Sequence, residues 1–240
     1  VITSGQYELL PDYKDLWYWY AEEKAKNNKE SLFECQFGVN AHNDLHLYFG
    51  VMDTQKALGS MQYHRAAVSH QAYFSYAPND ARLNCMLTEY LTDSGEKRYW
   101  VPENKGAYGG VTGGWLTSGP GNVKFYDRTE ASFANRCAKT NFVLIRYSDV
   151  LLNYAEVENY LNGPTADAYE KLNEVHTRSL PEEVTAGLSK EDFDEAIYKE
   201  RGWELLGEGQ LYFDELRTNR LGKNVYEHVR KYYDLGYYLY

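Results

Sequence analysis

Residues 142–175 read FVLIRYSDVLLNYAEVENYLNGPTADAYEKLNEV, and this stretch decides the fold class. Val143, Tyr147, Val150, Tyr154, Val157 and Leu161 step by four, three, four, three and four residues, the spacing of one helix face. Asn162-Gly163-Pro164 stops that helix, because Gly permits a left-handed cap and Pro cannot continue the hydrogen-bond ladder. Thr165 is placed to cap a second helix, with Asp167 and Glu170 in or near its positive first turn. Ala168, Leu172 and Val175 form its apolar stripe, and Pro181 closes it. Two helices joined by so short a loop lie antiparallel.

The hairpin loosely matches one tetratricopeptide unit, although the Trp and Gly signature of that repeat is absent. Downstream, Ser189 is an N-cap with Asp192 at the capping-box position and Leu188 set to staple against Phe193. Phe193 and Ile197 continue the inward face, Gly207-Glu208-Gly209 breaks the run, and a short helix follows over Gln210–Thr218. The chain closes on Tyr232-Tyr233-Asp234-Leu235-Gly236-Tyr237-Tyr238-Leu239-Tyr240 with no stop signal, which reads as a truncated end.

Upstream, Leu9, Tyr13, Leu16 and Tyr20 predict a first helix with Pro11 in its first turn and Asn27-Asn28 at its end. Trp17, Tyr18 and Trp19 carry aromatics most of the way round it, the mark of a helix held between neighbours. Ser31 to Phe37 alternates, with Phe33, Cys35 and Phe37 on one side, and predicts a half-buried strand. Residues 38–141 carry little periodicity, and turn signals recur at Asn79-Asp80 and Asp93-Ser94-Gly95. Residues 106–121 read GAYGGVTGGWLTSGPG. Loops this long in a compact chain are usually functional or disordered, and Tyr63, Tyr73, Tyr76, Trp100, Tyr108 and Trp115 argue against plain disorder.

The chain has 240 residues, enough to bury roughly 70–75% of its unfolded surface. Mean hydropathy is −0.65, and no run of ~18 apolar residues suggests a membrane-spanning helix. With 25 Lys+Arg against 35 Asp+Glu, the net charge of −10 argues against a broad nucleic-acid surface. The 24 tyrosines, 5 tryptophans and 9 phenylalanines favour surfaces that are apolar on the face and polar at the tip. Cys35, Cys85 and Cys137 are too widely spaced for a zinc site, leaving three small buried residues or one disulfide plus a free thiol.

Little in the chain matches a catalytic motif. His42-Asn43-Asp44-Leu45-His46 spaces two His as in a zinc protease but has Asn43 where Glu is needed. The glycine stretch lacks the Gly-Lys-Ser/Thr of a phosphate loop. Glu200, Glu204, Glu208 and Asp214 alternate with Arg201, Arg217 and Arg220; they read as helix-packing ion pairs, with acid–base catalysis as the alternative. Arg146 and Asp149, three apart, read as a pair on one helix surface.

Leu144-Ile145-Arg146-Tyr147-Ser148-Asp149-Val150-Leu151-Leu152-Asn153-Tyr154-Ala155-Glu156 resembles a helix motif of the SusD/RagB family. Lys199 to Thr218, KERGWELLGEGQLYFDELRT, resembles that family's second signature. Asn79-Asp80-Ala81-Arg82-Leu83 and Ser31–Phe37 resemble two further family elements in the expected order. Gly202 stands where the family usually has Arg, Gly207 where it has an aromatic and Leu211 where Arg is common. Each Gly is expected to weaken helix propensity by about 1 kcal/mol.

The resemblance implies a mainly α fold: tetratricopeptide-like helical hairpins with long irregular loops and a few short strands. The whole of 1–240 would be the C-terminal part of one such domain, with 1–141 a helix, strand and ligand-loop region and 142–240 the helical signature region. It also implies a surface-exposed, lipid-anchored outer-membrane protein, the anchor lying outside this stretch. Such a protein captures oligosaccharides or other nutrients and passes them to a SusC-like TonB-dependent transporter, without catalysis, metal or cofactor. A carbohydrate-active hydrolase and a helical-repeat scaffold without a small ligand are the alternatives.

A sugar lays its C–H patch on an aromatic face. If one stack removes on the order of 50 Å² from water, it contributes about 1 kcal/mol, whereas even millimolar binding needs ~4 kcal/mol. Several rings are therefore required. Trp100, Trp115, Tyr108 and Tyr63 are the candidate rings and Asn104 a candidate hydroxyl partner, with burial against the helices the competing reading for each. Trp203 lies in the signature helix and is expected in the core.

Overall fold

The structure, a computed structural model, describes residues 1–38, 40–49, 66–100, 119–127 and 136–234. Its centre is the helical hairpin. Helix α4 (Tyr147–Asn162) and helix α5 (Ala166–His176) pack together, and α6 (Lys190–Glu204) lies against both. Leu151, Leu152, Ala155, Ala168, Leu172, Val175, Phe193 and Ile197 make one buried cluster. The predicted punctuation holds. Gly163 closes α4 at φ 84°, the Thr165 hydroxyl accepts from the Ala168 N–H at 3.2 Å, and the Ser189 hydroxyl accepts from the Asp192 N–H at 3.1 Å. The Asp192 carboxylate accepts a hydrogen bond from the Ser189 hydroxyl in return at 2.7 Å, so this shorter acid closes the box on the side chain. Leu188 packs against the cluster that holds Phe193.

Two sequence expectations about α4 are corrected. Residues Phe142–Arg146 are not helix but strand β6, which pairs antiparallel with β1 (Ser31–Cys35). The buried face of α4 is Tyr147, Leu151, Leu152 and Ala155, because α5 and α6 both lie on that side. Tyr154, Val157 and Leu161 of the anticipated stripe face solvent. Strand β1 is where alternation placed it, but its faces are inverted. Phe33 and Cys35 point outward, while Glu34 accepts from the Asn141 amide at 2.8 Å and the Asn27 N–H at 2.7 Å.

The single N-terminal helix is also corrected. Tyr13–Leu16 is one 3₁₀ turn, Trp17 is extended at φ −113° and ψ 136°, and α1 (Tyr18–Ala21) and a 3₁₀ turn over Glu22–Ala25 follow. Breaking at Trp17 lets its indole join Tyr13 and Leu16 in a second buried cluster. It meets Tyr13 edge-on at 5.8 Å and lies under the Lys124 ammonium at 4.6 Å.

Between these parts, α2 (Leu45–Phe49), α3 (His70–Ser75) and a 3₁₀ turn over Ala81–Cys85 alternate with short strands. Strand β2 (Met86–Leu87) pairs with β5 (Gly121–Asn122), and β3 (Glu89–Leu91) forms a hairpin with β4 (Lys97–Tyr99), turning at Gly95 with φ 83°. Helices α7 (Gln210–Arg217) and α8 (Leu221–Asp234) follow. The three cysteines are thiols outside any disulfide, Cys35 exposed and Cys85 and Cys137 buried. Of the two Gly departures, only Gly202 sits in a helix. Gly207 lies beyond the end of α6 at φ 79°, so its flexibility serves the turn.

Candidate functional site

The Ser69 hydroxyl caps α3 by accepting from the Ala72 N–H at 3.1 Å, which fixes His70, Tyr73 and Phe74 around one short helix. The β3–β4 hairpin delivers Trp100 to the same place, its backbone N–H bonded to Thr88 O at 2.8 Å. The indole meets His70 and Tyr73 edge-to-face, each at 4.8 Å, and lies tilted against Phe74 at 5.7 Å. Its Nε1–H donates to His70 Nε2 at 3.3 Å.

Trp100 is only 6% exposed, whereas Phe74 is 61% exposed. Of the two readings the sequence leaves open for Trp100, burial is the one its position fits. Edge-on neighbours enclose the indole, and Phe74 is the ring that reaches water. Tyr99 and Leu91 are exposed on the same hairpin. Tyr63, Asn104, Tyr108 and Trp115 lie outside the described residues. Sequence reasoning missed His70 and Phe74, although Ser69 followed by an aromatic-rich turn was a readable cap-and-helix signal.

The carboxylates of the signature region assemble elsewhere, in the interior. Arg146 reaches Glu30 at 2.9 Å and Glu208 at 2.8 Å and also bonds Glu204. Arg178 holds Glu30 at 2.6 Å and bonds Glu204 as well. Arg82 joins Asp80 at 2.7 Å, Glu200 at 2.6 Å and the far oxygen of Glu204 at 3.4 Å. Lys124 joins Glu208 at 2.8 Å, and His176 Nδ1 lies 2.6 Å from Glu200. These charged side chains are almost wholly buried.

Burial alone would push the Glu204 carboxyl up, but Arg178, Arg146 and Arg82 outweigh it and hold the group far below the ordinary range. Glu208 is likewise held down, against burial, by Arg146 and Lys124. Burial pushes the Lys124 ammonium down despite Glu208. A general acid needs a raised carboxyl, and these are lowered and saturated with cations, so the ion-pair reading of Glu204 and Glu208 is the one their geometry fits. Asp214 pairs with Arg201 and Arg217, both at 2.8 Å, while Arg220 pairs with Asp194.

Three local expectations fare differently. Arg146 and Asp149 do not pair, since Arg146 ends a strand and turns inward while Asp149 meets Arg201 at 2.9 Å. Trp203 is half-buried rather than core, and its indole N–H donates to Ser75 Oγ at 2.9 Å, tying α6 to α3. His42 is exposed and bonded to Asp44, whereas His46 is fully buried, so the two rings do not share an environment. Among the described residues no helix is long and apolar enough to cross a membrane.

The SusD family model matches residues 13–236. The chain belongs to the SusD family. A SusD-like protein, P25 of Formosa agariphila, is 42% identical over 80 residues, which cover 32% of this chain and 15% of that one. Among solved structures, surface glycan-binding protein A of Bacteroides thetaiotaomicron in complex with laminarihexaose superposes with a TM-score of 0.69 at 25% identity. That match covers 91% of this chain and 48% of that one. A SusD homologue from the same organism gives a TM-score of 0.70 at 24% identity, covering 90% and 46%. This SusD-family chain thus spans about half the length of the structures it resembles.

Proposed function

We propose that this protein captures glycans at the cell surface without catalysis and delivers oligosaccharides to a SusC-like TonB-dependent transporter in the outer membrane, where a lipid anchor outside residues 1–240 holds it. Family membership and likeness to a glycan-binding protein solved with laminarihexaose support the reading. The observation that carries it is the exposed Phe74 ring, braced from beneath by buried Trp100, with Tyr99 beside Trp100 in the chain. A rigid ring loses little entropy when a sugar stacks on it. We assign Trp100 the role of pedestal, and Tyr63, Tyr108 and Trp115 remain the proposed additional rings, with Asn104 the hydroxyl partner.

Calorimetric titration against neutral and acidic oligosaccharides tests the proposal. Phe74→Ala is expected to weaken binding about fivefold, equivalent to ~1 kcal/mol for one lost stack, with thermal stability unchanged. Absence of any ligand at millimolar concentration would overturn it. Burial of Trp100 favours a second reading, a helical scaffold with no small ligand, and the same titration separates the two. Co-purification with the transporter tests delivery.

A further inference from the structure

A cleft of about 600 Å³ opens where the C-terminal end of α4 meets the start of α6 and Arg220, and none of its lining residues belongs to the Trp100 cluster. That volume is in the range of small-molecule sites. Its wall is the Tyr160 ring, 73% exposed, with the Lys190 ammonium 5.2 Å from its centroid. Asn159 lines the cleft and is 2% exposed. Its amide nitrogen donates to Lys190 O at 3.0 Å, and its Oδ1 has no hydrogen-bond partner. An acceptor left unpaired in a buried position is costly, and a ligand hydroxyl reaching it would recover that cost.

The charges indicate what kind of ligand. Glu156, Glu191 and Asp194 line the cleft with two cations, Lys190 and Arg220, and Glu156 is itself held by Arg217 from outside the lining. Arg220 is already bound to Asp194 at 2.6 Å and to Glu195 at 3.1 Å and rests on the Tyr198 ring at 4.2 Å. The lining therefore carries one excess negative charge and no uncommitted guanidinium, which disfavours sulfated or uronic ligands. An aromatic wall, an unpaired amide oxygen and the Glu191 carboxylate as a hydrogen-bond acceptor for hydroxyls suit an uncharged polyol ring.

We propose that this cleft is a second saccharide subsite, selective for neutral sugars and separate from the Phe74 surface. The inference rests on the reading that the protein binds glycans. Backbone amide shifts of the ¹⁵N-labelled protein are followed while maltotriose, laminaritriose, cellotriose and a sulfated trisaccharide are titrated. A neutral trisaccharide is expected to shift amides over residues 157–161 and 190–195. Tyr160→Ala and Glu191→Gln, both surface changes, are expected to weaken that response at least tenfold and threefold respectively. Phe74→Ala leaves it unchanged, and the sulfated sugar produces none. Binding seen only at residues 70–75 and abolished by Phe74→Ala overturns the subsite and leaves the proposed function standing. An equal response to the sulfated sugar overturns the selectivity, and no response anywhere overturns both readings.

Discussion

Replacing Arg146 with Met tests whether the buried charge network holds the fold. Arg146 is 2% exposed, and its guanidinium serves Glu30, Glu204 and Glu208 together. Met keeps much of the apolar volume and removes the charge. Each carboxylate retains one cation or more: Arg178 for Glu30, Arg178 and Arg82 for Glu204, and Lys124 for Glu208. Those cations are already shared with other carboxylates, Arg82 with Asp80 and Glu200 among them, so removing Arg146 leaves buried negative charge uncompensated, at a cost of about 3–5 kcal/mol. At roughly 2–4 °C per kcal/mol for a chain this long, Tm falls by about 6–20 °C in scanning calorimetry.

The pH dependence carries a second signature of the same network. Glu204 and Glu208 are held below the ordinary 4.5 in the folded state, so their contribution is fully present above that value. It is lost as pH falls through the lowered folded values. The gap between the wild type and Arg146→Met is thus widest near neutrality and narrows below about pH 4.5. Arg217→Met is the control. That side chain is 42% exposed and pairs with Glu156 and Asp214, where the loss is at most ~1 kcal/mol. If Arg146→Met costs no more than Arg217→Met, or its cost is flat from pH 3 to 7 (roughly the carboxylate range), the network is not what secures the interior.

Two further outcomes follow from the geometry. Gly202→Ala is expected to raise stability by about 0.5–1 kcal/mol in urea titration, because the residue is in a helix and an added Cβ meets nothing within 4 Å; destabilisation would show that the small residue is required there. In thiol labelling of the native protein, Cys35 reacts at neutral pH and Cys85 only on unfolding, since burial removes access and pushes the Cys85 thiol up to about 12; simultaneous labelling of both would contradict the buried position of Cys85.

The helical hairpin was legible because its signals are local. Gly163, Thr165 and Ser189 act on groups within a few residues of themselves, so sequence spacing suffices to read them. The errors arose where distant partners decided the outcome. Strand β1 shows Phe33 to solvent because Glu34 finds Asn141 across the sheet, a partner 107 residues away. Helix periodicity from Leu9 to Tyr20 failed because Trp17 gains more by joining the interior under Lys124 than by completing a turn. Spacing pairs Arg146 with Asp149 on a helix surface, yet its counterions come from positions 30, 204 and 208. At the candidate site, loop position singled out Trp100, but only geometry distinguishes the enclosed indole from the ring it supports.

Glu204 draws its cations from positions 26, 58 and 122 residues away along the chain. None of those encounters is satisfied by a partly assembled molecule. The chain must close the 122-residue loop between Arg82 and Glu204 before the acid acquires its full complement of neighbours, which ties the turn at Ala81–Cys85 and the late helices into a single cooperative unit. A backbone nick between Arg82 and Glu204 would leave complementary ions on separate pieces, each insoluble in its own interior without the other. Fragment complementation, rather than independent folding of the halves, is the behaviour such wiring dictates.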